Sequence, residues 1–275
     1  MTHPLDDCRA RLQRGRRQLQ ELEHEINLFI EREPYRVIGD FEREESKSFY
    51  VTRVHIVEHP SSDWAFLVGE IVANFRSSLD YLICALTLRN GRPVERKTAY
   101  PLFHDLNQFD GQRESYIGGL PESAQLLIRG WQPGGGDDRT AEGLSIVASL
   151  SNYDKHQALP IIGSVASVGE IRLVDLMGHT VDFTAEHVNL GSFEDDAELT
   201  RIDMSTIPIP SDQSALRFDA DFTFQVAFGE RGPCPGRPVI DCLMRVQQAA
   251  VFLTGYFEMY FAPGMTRVMF PNFGC

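Results

Sequence analysis

Two short segments carry the polar side chains whose types and spacing would matter most chemically in a buried setting. The first, NFRSSLD at 74–80, contains Asn74, Arg76 and Asp80. Arg76 and Asp80 are four residues apart, so on a helix they share a face and can form an ion pair. The surrounding segment is strongly apolar, and desolvated charges each need hydrogen-bond partners. The pattern predicts either an ion pair that fixes helix packing or a polar pocket inside a bundle.

The second segment, SNYDKH at 151–156, contains Asn152, Asp154, Lys155 and His156. Asn152 and His156 are one helical turn apart, so the amide can orient the imidazole. Histidine titrates near neutral pH without perturbation, which makes His156 a candidate general acid or base. Lys155 and His156 also suit a helix C-terminus, where they complement the dipole and satisfy the last carbonyl groups. A helix cap and a catalytic group are both open interpretations of this segment.

A metal site is a further alternative, because helical bundles bind divalent metals through inward carboxylates and histidines. Asp80, Asp154 and His156, with Glu70, would supply ligands if the two helices face each other. The sequence contains no HExxH motif and no CxxC pair that would hold zinc or support thiol redox chemistry. We therefore predict no cofactor. Reduced thiols in a cytoplasm are the simplest interpretation of the five cysteines, at positions 8, 84, 234, 242 and 275.

The overall charge of the chain is acidic. Asp and Glu total 39 against 26 Lys and Arg, which gives a formal net charge of −13 at pH 7. This balance repels nucleic-acid phosphates and anionic membrane surfaces at long range, so it gives no support to a nucleic-acid-binding protein. A cluster of N-terminal arginines is either a face that tracks phosphates or, more simply, a solvated helix face. These arginines lie at positions 9, 11, 14, 16 and 17.

The first third of the chain combines helix and strand patterns. Residues 5–33 predict a long helix, which Pro34 ends. The β-like runs within 35–58 flank a charged turn and predict a hairpin, with room for a bulge in its second strand. Residues 63–89 predict a helix that is apolar nearly all round. Such a helix lies at the centre of a bundle, and its charged residues argue against a membrane span.

The remaining patterns complete an α+β fold. Residues 92–120 look irregular, and two further helices are predicted within 121–156. Short runs separated by turns in 159–228 predict an antiparallel sheet of about four strands, and a last helix is predicted at 239–261. The predicted architecture is one domain, residues 1–275. It consists of a bundle of about four long helices, an N-terminal hairpin and a sheet inserted before the last helix.

The apolar seam of the first helix allows two interpretations. Its members are spaced by 7, 3, 4 and 3 residues, like the core positions of a coiled coil. The seam predicts either a homodimer through this helix or packing against the last helix of the same chain. Its residues are Leu12, Leu19, Leu22, Ile26 and Phe29.

The two polar segments also carry a resemblance. The strings NFRSSLDYL and LSNYDKHQ resemble a motif pair, N-x-R-S-x-L-D-x-L with N-x-x-K-H-[RQ], of an uncharacterised bacterial protein family. The likeness extends from the N-terminal helix and the EPYRV segment through DKH, and that family implies no activity. More distantly, the helical part is similar to HEPN domains, small bundles that are often metal-independent ribonucleases. HEPN nucleases use an arginine and a histidine four to six residues apart. Here the nearest arginine before His156 is Arg139, so a nuclease requires Arg76 to reach His156 across the bundle.

Three functions are consistent with these patterns, in order of preference. The first is a non-catalytic binding or regulatory helical domain of a bacterial, cytoplasmic system. The second is a HEPN-like ribonuclease, with RNA as its partner, in which His156 transfers protons and Arg76 stabilises charge on the phosphate. The third is a metal-dependent hydrolase that uses Asp80 and His156. The residues predicted to bind under the first hypothesis are Asn74, Asp80, Asn152, Asp154 and Lys155.

Overall fold

The computed structural model describes residues 3–44, 47–135, 139–154, 157–175, 180–181, 185–205 and 216–261. Within these ranges the chain forms six α-helices and eight β-strands, which confirms the predicted α+β class. The helices are α1 (Asp6–Glu31), α2 (Asp63–Arg89), α3 (Leu106–Ile117), α4 (Glu122–Gly130), α5 (Arg139–Asp154) and α6 (Val239–Glu258). The strands are β1 (Tyr35–Glu44), β2 (Lys47–Ile56), β3 (Ile161–Asp175), β4 (Thr180–Val181), β5 (Ala185–Val188), β6 (Gly191–Ser192), β7 (Glu198–Asp203) and β8 (Leu216–Phe228).

The long helix α2 lies at the centre of the bundle, as its composition predicts. It packs against α1, α5 and α6, and Val68, Ile71, Phe75 and Leu79 are fully buried along it. By length and composition α2 is apolar enough to cross a membrane, but 61% of its most apolar stretch is buried inside the fold. The helix stops at Gly91, whose φ of 71° is a left-handed conformation that favours glycine.

The apolar seam of α1 is used within the chain. Leu19, Leu22, Ile26 and Phe29 are buried, and the helix packs mainly on α2 and also on α6. The two helices approach closely at Gly15, where an added Cβ would lie 3.1 Å from the Phe75 ring. A homodimer through α1 would therefore have to use the opposite face of this helix, and it stays a prediction.

The strands form two antiparallel sheets, and these contain the predicted hairpin and the predicted antiparallel strands before the last helix. The hairpin of β1 and β2 is present, and β7 and β5 extend it in the order β1-β2-β7-β5. The pairing of β2 with β7 shifts register between Thr52 and Arg53, which is the irregularity predicted for the second strand. In the other sheet β3 pairs with β4, β6 and β8. One hydrophobic cluster contains buried residues from the helices and from both sheets.

The segment 92–120, predicted to be irregular, contains the helix α3. The apolar periodicity of α3 is weak, because only Phe109 and Ile117 are buried along this helix. Asp105 caps its start, since the Asp105 carboxylate accepts a hydrogen bond from the Asn107 N–H at 2.8 Å. The preceding residues 92–105 do lack helix and strand, and they cross the bundle with Tyr100 fully buried. This crossing segment positions the candidate site.

Candidate ligand-binding pocket

Arg76 and Asp80 form the ion pair that their spacing predicts. The Arg76 Nη2 and the Asp80 Oδ1 are 3.1 Å apart, on side chains that are 24% and 31% exposed. Arg76 Nη2 also donates to the Tyr100 carbonyl at 2.7 Å, and the Tyr100 N–H donates to Asp80 Oδ1 at 2.9 Å. The ion pair therefore binds both the carbonyl and the N–H of Tyr100, which lies in the crossing segment. Its first role is structural.

The Asp80 carboxyl group lies in a partly buried environment that disfavours its ionised form. Burial raises its pKa above the ordinary value, and the neighbouring Arg76 charge and the Tyr100 N–H act in the opposite direction. Burial is the largest of these effects, so the ion pair does not fully compensate for the loss of water.

Asn74 lies on a different side of α2 from Arg76. Its amide oxygen accepts from Arg11 at 3.1 Å, and its amide nitrogen donates to Gln18 at 2.8 Å. Asn74 is thus a buried link between α1 and α2, and it has no hydrogen bond to the other predicted site residues that the structure describes.

A pocket of about 210 Å³ brings Arg76 and Asn152 together, although they come from separate helices. Arg76 enters it from α2, Tyr116 from α3, and Ala148, Ser151 and Asn152 from α5. The crossing segment closes the remaining wall. The residues that line the pocket are Arg76, Leu102, Phe103, Tyr116, Ala148, Ser151 and Asn152.

The pocket contains polar groups whose hydrogen-bonding capacity is unused among the described residues. The Ser151 hydroxyl is shielded from solvent and has no partner there. The hydrogen bond from Arg76 to the Tyr100 carbonyl and the ion pair with Asp80 both use Nη2. The other two nitrogens, Nε and Nη1, have no acceptor among the described residues. Asn152 is exposed at the pocket edge. Buried polar groups are rarely left unpaired in native proteins, so this set is suited to receive a polar ligand.

Aromatic rings form the other side of the pocket. Phe103 and Tyr116 meet edge to face, with ring centroids 5.7 Å apart. The Phe103 N–H donates to the Gln132 side chain at 2.9 Å, and the fully buried Gln132 donates to the Ile128 carbonyl at 3.1 Å. These bonds attach the crossing segment to α4, which fixes the position of the Phe103 ring.

Sequence reasoning missed Ser151, Phe103 and Tyr116 as lining residues. For Ser151 a signal existed, because Ala148, Ser151 and Asn152 are spaced as one face of a helix. For the two aromatic residues there was none. Phe103 and Tyr116 lie in the segment 92–120, which was predicted to be irregular. Only the tertiary fold brings this segment to α5, and no local pattern indicates that contact.

Two further residues considered as ligands, Asp154 and Glu70, do not line the pocket. The carboxylate of the exposed Asp154 lies against α2, and a Cβ added at Gly69 would be 2.5 Å from its Oδ1. The exposed Glu70 accepts a hydrogen bond from Gln18 at 2.6 Å. Lys155 and His156 lie outside the described residues.

No group of three or more metal-ligating side chains occurs among the residues the structure describes. One oxygen of Asp80, Oδ1, already contacts Arg76 and the Tyr100 N–H. Glu21 and His24 have the Glu-x-x-His spacing, but both are exposed on α1.

Of the N-terminal arginines, Arg9 pairs with Asp6 and Glu258, and Arg11 donates to Asn74. The other three, Arg14, Arg16 and Arg17, are exposed on α1. This arrangement fits a solvated helix face.

Comparison of the chain with protein-family models, with curated proteins and with solved structures finds no match. The pocket must therefore be interpreted from its own geometry.

Proposed function

We propose that this chain is a binding domain whose pocket between α2, α3 and α5 takes a small organic anion attached to a planar ring. The observation that carries this proposal is the set of unused donors at Arg76, Ser151 and Asn152 opposite the Phe103 and Tyr116 rings. A guanidinium and a hydroxyl recognise a carboxylate or phosphate, and aromatic edges and faces hold a ring.

The size of the pocket limits what it would hold. At about 210 Å³ it is smaller than most sites for drug-sized ligands. It suits a benzoate-like acid or one end of a mononucleotide. The net charge of −13 repels ligands with several negative charges at long range, so an anion with a single charge is favoured.

Binding without catalysis is preferred because the described lining residues include no group that exchanges protons readily near neutral pH. The polar groups of the lining are a guanidinium, a phenol, a hydroxyl and an amide, with no histidine or carboxylic acid among the described lining residues. Serine and asparagine do not titrate in this range.

The binding proposal is tested by calorimetric titration with benzoate, adenosine 5′-monophosphate and inorganic phosphate. We expect saturable binding of at least one ring-bearing anion, weakened about tenfold or more by Arg76→Gln, since a charge-assisted hydrogen bond is lost. Asn152→Ala, at an exposed position, should weaken binding without loss of folding. Arg17→Gln removes the same charge from the exposed face of α1 and is the matched control. Equal affinity in wild type and Arg76→Gln, or no binding of any probe, would contradict the proposal.

A ribonuclease of the HEPN-like kind is a second candidate, favoured by one observation. Arg76 and Asn152 line one pocket, and His156 follows Asn152 by four residues in the sequence. In this mechanism His156 would take the proton of the 2′-hydroxyl while Arg76 stabilises the charge on phosphate. Incubation with mixed RNA in chelator tests it. Cleavage that is unchanged in His156→Ala would end this alternative.

A further inference from the structure

The outer face of α1, opposite the seam that packs on α2, carries charges of both signs in two separate blocks. The first block consists of Arg14, Arg16 and Arg17. The second block, one turn later, consists of Glu21 and Glu23. All five residues are exposed, and none has a hydrogen bond or an ion pair among the residues the structure describes. These charges are therefore available to a partner outside the chain.

Pairing within the helix does not account for this order of charges. Arg14 and Arg17 are neighbours on the helix surface, three residues apart, so their like charges repel. Arg17 and Glu21 are four residues apart, but a pair of this spacing is stronger when the glutamate comes first. The last turn of α1 contains no basic residue to complement the helix dipole. A surface of complementary charge would relieve the repulsion within the arginine block.

The charges at the edges of this outer face are placed symmetrically. Seven residues make almost two turns, so Arg14 and Glu21 lie on one edge of the helix. For the same reason Arg16 and Glu23 share an edge. Successive residues advance by about 100°, which puts the two edges about 160° apart. Both pairs are centred between residues 17 and 20. Each edge therefore has an arginine before the centre of the helix and a glutamate after it.

Two apolar residues on the outer face share this centre. Ala10 and Leu28 are 18 residues apart, which is five full turns, so they lie on one line along the helix. Both are exposed, and Leu28 keeps 43% of its surface accessible. Their midpoint is residue 19. A helix of the same sequence that crosses this midpoint in the opposite direction would place its Leu28 over Ala10.

We propose that the outer face of α1 binds the same face of a second copy of this chain, with the two helices antiparallel about a twofold axis near residue 19. In such a pair each edge of one helix faces the same edge of the other, with the chain direction reversed. Arg14 and Arg16 of each copy then approach Glu21 and Glu23 of the other copy. The complementarity of these charges carries the proposal.

The charges also select the orientation and the location of the contact. A parallel pair would bring the arginine blocks of the two copies together, and it would be repelled. The net charge of −13 opposes association at long range, so the contact depends on the arginine block. The pairing leaves the apolar seam of α1 in its contacts with α2 and α6. No residue of α1 is among those that line the pocket, so the proposal does not depend on the binding function.

Sedimentation equilibrium of the full chain, kept reduced, tests the pairing. We expect a dimer whose dissociation constant rises about tenfold or more between about 0.01 M and about 1 M salt, because the Debye length falls from about 30 Å to about 3 Å. Arg14→Glu with Arg16→Glu, and separately Glu21→Arg with Glu23→Arg, should each be monomeric. An equimolar mixture of the two double variants should form a heterodimer, because opposite charges then face each other on every edge. This recovery requires both variants to be folded.

Two cysteine variants test the orientation. In the proposed pair the thiols of Gln20→Cys are offset by about 3 Å along the helices, whereas those of Gln13→Cys are offset by about 18 Å. A disulfide requires Cα atoms within about 7 Å of each other. Both glutamines are exposed on the same face of α1, so Gln13→Cys is the matched control. We expect mild oxidation to link two copies of Gln20→Cys through position 20 about tenfold or more faster than two copies of Gln13→Cys through position 13, as peptide mapping measures.

Four results would overturn the proposal. The first is a wild type that stays monomeric at submillimolar concentration and low salt. The second is a dimer that both double variants still form, since it would use another surface. The third is a mixture of folded double variants, checked by circular dichroism, that stays monomeric. The fourth is cross-linking of Gln13→Cys that is as fast as that of Gln20→Cys.

Discussion

Arg76 has a structural role at one nitrogen, and its proposed binding role uses the others. Its Nη2 contacts Asp80 and the Tyr100 carbonyl, while Nε and Nη1 have no acceptor among the described residues. The i, i+4 spacing predicted the ion pair, because both members lie on one helix. It could not predict Tyr100, which is 20 residues from Asp80 and arrives through a segment without regular structure. The role of His156 stays a prediction.

Asp80 gives a prediction about stability and pH. Its pKa is raised in the folded chain, mainly by burial, so the folded protein holds this proton more tightly than the unfolded chain. The stabilisation of the folded state by this proton is fully present below the pKa of the unfolded chain, about 3.8. It is lost as the pH rises through the pKa of the folded chain. Relative to Asp80→Asn, the wild type should therefore lose stability as the pH rises from about 4 towards neutrality.

Urea unfolding of wild type and Asp80→Asn across this range measures the difference in the free energy of unfolding. Asp80→Asn keeps an oxygen for the Tyr100 N–H, whereas Asp80→Ala leaves that N–H unpaired and should cost about 1–3 kcal/mol at neutral pH. A wild type that gains stability over Asp80→Asn as the pH rises would show that the folded pKa is lowered instead.

At the scale of elements, the long helices and the hairpin could be predicted because their patterns repeat over many residues. Helix α3 could not, since Gly111 lies in its middle and only two of its side chains are buried. Its cap at Asp105 was the available signal. Because α3 was not predicted, the pocket that Phe103 and Tyr116 line was not predicted either.

The crossing of α5 and α6 gives a prediction about packing. A Cβ added at Gly143 would lie 2.5 Å from the Arg245 carbonyl oxygen and 2.7 Å from the Ala249 Cβ. Since the first contact is with backbone, Gly143→Ala must separate the helices and should lower the free energy of unfolding by about 1–3 kcal/mol. Gly111→Ala is the matched control. Its Cβ would have open space, and this variant should gain about 0.5–1 kcal/mol from helix propensity. Chemical denaturation measures both, and a neutral Gly143→Ala would contradict the observed approach.

At the scale of the whole molecule, strands distant in sequence complete one sheet. The hairpin of β1 and β2 is continued by β7 and β5 from the second half of the chain. Alternating runs predicted the strands, but no local pattern states which strands pair. The two-sheet arrangement therefore could not be predicted from the sequence.

The junction of β2 and β7 gives a test of this connection. The Thr52 and Thr200 hydroxyl oxygens are 2.8 Å apart, and both residues are fully buried. Thr200→Val leaves the Thr52 hydroxyl without its partner and should cost about 1–3 kcal/mol. The double variant Thr52→Val with Thr200→Val removes both hydroxyl groups and should recover part of that loss. Thermal unfolding measures the cycle, and strictly additive losses would argue against the contact.

The claim on which the binding proposal depends is that Arg76 gives the pocket a local positive field within an acidic protein. Asn152→Cys places a thiol at the exposed edge of the pocket, where its rates of reaction with a negatively and a positively charged methanethiosulfonate can be compared by peptide mass spectrometry. We predict that the negatively charged reagent is favoured, and that adding Arg76→Gln reverses the preference. Phe66→Cys, on an exposed part of α2, should favour the positive reagent, as the net charge of −13 requires. A preference at Asn152→Cys that matches Phe66→Cys and ignores Arg76→Gln would contradict the account.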